Sequence, residues 1–340
     1  MQTKGGDKRR AGWVDCARTL AALMVVMVHT PLSTSWDYMD AVFLAGRVPL
    51  FFLISGYFTK HTDCVSIFHR VRFLLIPYLL WNTVSWLILW KQGHAVWSLD
   101  AALAVLRGYP NEPTWFLRNL LVYTLFMPLF RSRSAILAVA CVLMTASTLG
   151  FQIGDVSFQN RLVGGAGYFL LGVWFREIRL ERMQLFFLDT WKAWLSAALA
   201  ASAFSALSQV VSGVASMASL IGCMGMLALC VVLEHYLPRL GRLLARCGEA
   251  SFLVFVIHYP AIQLCGWSNS CHLAWWNYGY SFLFAVACLS SALLILALLR
   301  KVCPGILPYV AARKHGSAKR RVANAPVDTE EFRMRGSVGG

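Results

Sequence analysis

Residues 13–29 read WVDCARTLAALMVVMVH, an apolar run that opens with one acid and one base and closes on a histidine. With its flanks it reaches the roughly 20 apolar residues a helix needs to cross a bilayer. The preceding Lys8-Arg9-Arg10 gives it the charge layout of a signal peptide. Asp15 and Arg18 interrupt that layout and no small-x-small cleavage site follows, so the run is read as a retained first helix over 13–32. The rest of the chain has the same character. Of 340 residues, 58% are apolar and only 14% charged, with mean hydropathy +0.58, whereas a soluble domain carries about a quarter charged residues. A water-soluble enzyme is excluded.

Further apolar runs, bounded by charge, Pro and Gly, lie at 42–59, 73–90, 115–130, 134–152, 161–176, 192–210, 213–233, 251–267 and 279–300. The expected fold is therefore all-α, a polytopic integral membrane helical bundle of about ten transmembrane helices over 13–303. The Ser- and Ala-rich segment 184–233 gives the weakest signal and leaves nine or eleven spans as alternatives. Ten helices of about 20 residues leave short loops, so a large extramembrane domain has no room. A basic segment, 1–12, precedes the bundle, and a basic tail, 304–340, follows it; the tail's Pro, Gly, Ser and mixed charge predict disorder. The ten cysteines form no CxxC pair, and neither a metal site nor a disulfide framework is read.

The net charge of +15 raises nucleic acid as a partner, but in a membrane chain the distribution of Lys and Arg decides orientation first. Alternate loops hold Lys60, Arg70 and Arg72; Arg131 and Arg133; Arg176, Arg179, Arg182 and Lys192; Arg239, Arg242 and Arg246; and the tail from Arg300. The loops on the opposite side hold only Lys91 and Arg107, with Arg161 at a helix end. This bias predicts both termini in the cytoplasm and the basic first half of the tail against anionic lipid headgroups, with no nucleic acid involved.

Charged groups inside a span cost about 2.5–3.5 kcal/mol on insertion scales and mark function or a paired structural site. Arg18 and His29 are eleven residues apart, so they differ by about 20° around the helix axis and about 16 Å along it. Asp15 stands at i,i+3 to Arg18, the spacing of a helical ion pair. A cation near the cytoplasmic mouth and an imidazole in depth suit an anionic carrier arriving from the cytosol and a proton transfer within the membrane. The bland alternative is a snorkelling Arg and a core His. Ser55-Gly56, after Arg47-Val-Pro-Leu-Phe-Phe-Leu-Ile, reads as a packing notch. Arg47 at the outer end is there to hold an anionic group or to snorkel. His69-Arg70-Val-Arg72 is a positive-inside cluster or, through bidentate guanidinium bonds, a phosphate site. On the outer side Glu112, Trp115 and Arg118 combine a stacking ring with hydrogen-bonding charges. Trp36, Asp37 and Asp40 face the same way. His258, seven residues into the ninth span, reads as a core histidine.

Taken together these residues resemble the acyltransferase-3 family, multi-spanning membrane acyltransferases that O-acetylate bacterial surface polysaccharides and their lipid-linked precursors. The resemblance rests on Trp13-Val-Asp15-Cys-Ala-Arg18, ten residues and His29; on Val48-Pro49 through Ser55-Gly56-Tyr57; on Arg70 and Arg72 before Pro77-Tyr78; on Trp115-Phe-Leu; and on Ser251 through His258-Tyr-Pro260. It implies acetyl-CoA or another acyl-CoA bound from the cytosol and a glycan or lipid-linked sugar hydroxyl presented outside, in the cytoplasmic membrane. His29, with Arg18 and Asp15, is then the catalytic set, because an alcohol needs a base to attack a thioester. Arg18, Arg70, Arg72 and Ser55 would hold the donor, and Trp115, Glu112, Arg118 and Arg47 the acceptor. Some family members carry a fused hydrolase-like domain, for which residues 301–340 are too few, so the chain is expected to act alone or with a partner protein. No Ser-His-Asp order is legible. The competing reading is a transporter or flippase for a lipid-linked glycan, with Arg18, His29 and Glu112 lining its path.

Overall fold

The computed structural model describes residues 11–30, 46–59, 64–130, 132–148, 156–208, 215–265 and 274–310. Trp36, Asp37, Asp40 and Arg131 lie outside the described residues, as do the side chains of His69 and Arg161. All regular structure among the described residues is helical: α1 (Gly12–His29), α2 (Arg47–Tyr57), α3 (Cys64–Lys91), α4 (Leu99–Arg107), α5 (Trp115–Phe126), α6 (Arg133–Thr148), α7 (Val156–Phe175), α8 (Leu180–Ser208), α9 (Ala215–Tyr236), α10 (Pro238–Cys247), α11 (Ser251–Cys265), α12 (Ala274–Val302) and α13 (Leu307–Val310). Each apolar run read from the sequence falls on a helix. Among the described residues, Gly12–His29, Arg70–Lys91, Ser219–Tyr236 and Gly279–Val302 are long and apolar enough to cross a membrane. Arg47–Tyr57, Arg133–Ser147, Leu162–Phe175 and Ser251–Cys265 are shorter apolar helices.

α1 is the central strut, packed on α2, α9, α10, α11 and α12. Its Ala-rich middle permits this: Ala17, Ala21 and Ala22 are buried with Val25 and Val26. Three contacts tie it along its length. The Glu234 carboxylate of α9 accepts the Trp13 N–H at 3.0 Å, placing a negative charge on the helix N-terminus, where the macrodipole favours it. Thr19 Oγ1 donates to the Leu244 carbonyl of α10 at 2.8 Å. Just past the C-terminus Thr30 Oγ1 and Ser281 Oγ of α12 lie 2.6 Å apart.

α2 and α7 approach so closely that a Cβ on Gly56 or Gly172 would strike the backbone of the other helix, at Phe169 and Leu53 respectively. The Ser55-Gly56 notch is thus a helix crossing point. Phe51, Phe116 and Phe255 form an aromatic column joining α2, α5 and α11, with ring centres 5.1–5.9 Å apart. Long apolar side chains face outward, among them Leu294 at 71% and Leu283 at 62% exposure on α12, as lipid-facing positions do.

Two short amphipathic helices are absent from the sequence reading, which treated both as loop. α4 is capped by Ser98 Oγ, which accepts the Ala101 N–H, and ends at Gly108 in the left-handed region at φ 82°. α10 carries Arg239, Arg242 and Arg246 and packs on α1 and α9. At nine and ten residues neither holds an apolar run of spanning length. α3 also starts earlier than the apolar run, at Cys64, so Arg70 and Arg72 are helical rather than a lead-in. After Cys303 the short helix α13 packs on α3; the expected disordered tail beyond Val310 and the basic segment before Ala11 lie outside the described residues.

Candidate active site

At one end of α1, Asp15 is buried and its Oδ1 lies 3.1 Å from Arg18 Nη1, forming the i,i+3 pair that the spacing predicts. The turn after α10 presses on it: a Cβ at Gly248 would meet the Asp15 backbone carbonyl at 2.5 Å, so only glycine fits there. The Arg18 guanidinium then reaches over the Phe58 ring, 5.1 Å from its centre. Phe58 follows the last turn of α2, and other cations converge on that turn. Arg176 Nη1 donates to the Thr59 carbonyl at 3.4 Å. Half-buried Arg70 feels the like charge of Arg176. Tyr57 OH, donating to the Ile178 carbonyl at 2.7 Å, ties α2 to the segment after α7. Arg18 and Arg176 therefore both meet the residues that close α2, whose helix dipole is negative there, and Arg70 lies within electrostatic reach of Arg176.

Arg72 is not part of this group. Two residues on a helix diverge by about 200°, and Arg72 turns outward onto Tyr309 of α13, 5.1 Å from its ring centre, with Phe73 stacked on the same ring. Ser55 stands on the partly buried side of α2, its carbonyl accepting Thr59 Oγ1 at 2.7 Å. Arg176, counted in the sequence only toward the charge bias, joins the cluster because of the tight α2–α7 crossing, which no single-helix periodicity reports.

At the other end of α1, His29 meets α11. Its ring centre is 5.3 Å from that of His258 and 6.3 Å from that of Tyr259, edge to face. The Glu112 charge bears on Tyr259 from a 3-10 turn, Glu112–Thr114. That turn is pinned by a buried polar network absent from the sequence reading. Asn82 Nδ2 donates to the Tyr78 carbonyl and to Thr114 Oγ1, at 2.8 and 2.9 Å. Asn82 Oδ1 accepts the Asn111 N–H at 3.3 Å, and the Thr114 hydroxyl donates to the Asn111 carbonyl at 2.7 Å. Asn111 Nδ2 reaches the Val256 carbonyl of α11 at 3.1 Å, two residues before His258. α3, the turn and α11 are thus locked in one register around His29.

The remaining expected acceptor residues have structural contacts of their own. Trp115 leans on Phe52, ring centres 5.9 Å apart. Arg118 Nη1 donates to the Arg107 carbonyl at 2.8 Å and closes the end of α4. Arg47 opens α2, where the Gly46 carbonyl accepts Cys223 Sγ at 3.2 Å. The structure thus sets His29 against Tyr259, on which the Glu112 charge bears, and sets Arg18 over Phe58 while Arg70 lies within electrostatic reach of Arg176.

A bundle of apolar helices whose central helix bears an ion-paired guanidinium at one end and an imidazole at the other defines a class, helical membrane proteins with polar groups set within the bundle. The family model for the acyltransferase-3 group, described as an acyltransferase domain, matches residues 11–300. The chain belongs to this family and is a membrane acyltransferase. No curated protein and no solved structure matches it.

Proposed function

We propose that the chain transfers an acyl group, acetyl first among the candidates, from acyl-CoA at the cytoplasmic face to a hydroxyl of a surface polysaccharide or lipid-linked sugar at the outer face. The observation that carries this reading is α1 itself, which joins the guanidinium cluster at Arg18 to the imidazole site at His29. Both termini then lie in the cytoplasm, and the ten apolar helices cross the cytoplasmic membrane. Arg18, Arg70 and Arg176 bind the donor's phosphates, a task for which guanidinium forks are suited. The helical rise of about 16 Å between Arg18 and His29 is the path the donor's pantetheine arm covers.

In the direct form of the transfer, His29 takes the proton of the acceptor hydroxyl as its oxygen attacks the thioester carbonyl. The C–S bond breaks, and CoA departs as its thiol after gaining a proton. Glu112 and Trp115 hold the sugar, by hydrogen bonding and by stacking. The test is transfer of labelled acetyl from acetyl-CoA to membrane glycolipid by purified protein in bilayers. His29→Ala is expected to lose at least about 100-fold in rate while still binding acetyl-CoA. Equal transfer by the variant removes His29 from the mechanism. A wild type that neither binds nor consumes acyl-CoA but moves glycan across the bilayer is a transporter.

A further inference from the structure

His258 has no part in the transfer described above, yet its surroundings are not those of an inert core residue. The ring is fully buried. Its Nδ1 lies 3.2 Å from the Val254 carbonyl one turn earlier in α11. A carbonyl only accepts, so the proton sits on Nδ1 and the lone pair on Nε2. Among the described residues that Nε2 has no hydrogen-bond partner, and a buried acceptor left without a donor is costly. Phe255 is in ring contact with His258 and offers no donor. The polar ring against it is His29, with centres 5.3 Å apart and planes tilted by 39°. Two imidazoles that share an N–H···N bond of about 2.9 Å have ring centres about 5 Å apart, close to the spacing of His29 and His258.

We propose that His258 is a positioning residue for His29: its Nε2 accepts the N–H of one His29 nitrogen, so that the other nitrogen carries the lone pair and faces the acceptor hydroxyl. The relay runs from the Val254 carbonyl through His258 to His29, each bond setting the tautomer of the next ring. When His29 takes up the acceptor proton, the bond to Nε2 becomes charge-assisted and stabilises the imidazolium. This inference rests on the reading of His29 as the base.

The experiment is nitrogen-15 spectroscopy of histidine-labelled protein in lipid nanodiscs, with the His29 signals assigned by their loss in His29→Ala. Wild-type His29 is expected to show one tautomer. His258→Phe is expected to show both, with kcat lowered about 10–100-fold and KM for acyl-CoA unchanged. His258→Gln, whose carboxamide oxygen stands near the place of Nε2, is expected to restore the single tautomer and about tenfold of the lost rate. If His258→Phe does not fold, the reciprocal measurement decides: His29→Ala is expected to shift the His258 Nε2 signal. Identical His29 spectra in wild type and His258→Phe, a His258→Gln variant as impaired as His258→Phe, or a His258 signal indifferent to His29→Ala would each overturn the proposal. The spectra do not depend on turnover. Coupled rings in a protein that transfers no acyl group would therefore refute the transferase reading alone.

Discussion

Arg18 is held from two directions, by the Asp15 carboxylate and by the face of the Phe58 ring. A guanidinium fixed in this way keeps its fork oriented, which an ammonium on the same stem would not. Arg18→Lys preserves the charge but not the fork, and is expected to raise the Kd for acyl-CoA about tenfold; Arg18→Ala is expected to raise it further, toward about 100-fold. Titration calorimetry in detergent checks both, and an unaltered Kd in Arg18→Ala would place the donor phosphates elsewhere. The relation between Arg18 and His29 was legible from spacing alone, because both lie on one helix and a helix has a fixed pitch. The pairing of His29 with His258 was not. The two residues are 229 positions apart, and their meeting depends on how α1 packs against α11.

At the scale of elements, the network of Asn82, Asn111 and Thr114 holds the Glu112 turn against α3 and α11. Asn82→Leu keeps the branched shape but leaves the Asn111 N–H without its Asn82 acceptor in a buried place, a loss of about 1–3 kcal/mol. The expected result is a lower Tm and an acyl transfer rate reduced about tenfold with acyl-CoA affinity unchanged. A variant that transfers normally despite its lower Tm would detach the turn from the acceptor site. The apolar runs were readable as helices because lipid-facing and core-facing positions are both hydrophobic, which makes whole segments stand out. The same uniformity hides which face packs inward, so the α2–α7 crossing at Gly56 and Gly172, and with it the place of Arg176, emerges only in three dimensions. α4 and α10 escape for a different reason. They alternate polar and apolar faces over fewer residues than a span needs, and their charges read as loop.

For the whole molecule, orientation is the property that gives the two ends of α1 their meaning. A fluorescent protein fused after Gly340 is expected to fluoresce in the cytoplasm. Alkaline phosphatase fused within the 91–98 loop is expected to be active outside. The opposite pattern would put Arg18 at the outer face and require another route for the donor. The ties on α1 bear on the same question. Glu234 grips its first turn, Leu244 its second and Ser281 its far end. Sliding the helix by one turn, about 5.4 Å, would break all three bonds together. Amide hydrogen exchange across residues 12–30 is therefore expected to stay the same when acyl-CoA binds, and faster exchange there would mean that the helix travels. A strut bolted at both ends cannot act as a piston: in the proposed transfer, the cargo's own reach has to do the travelling.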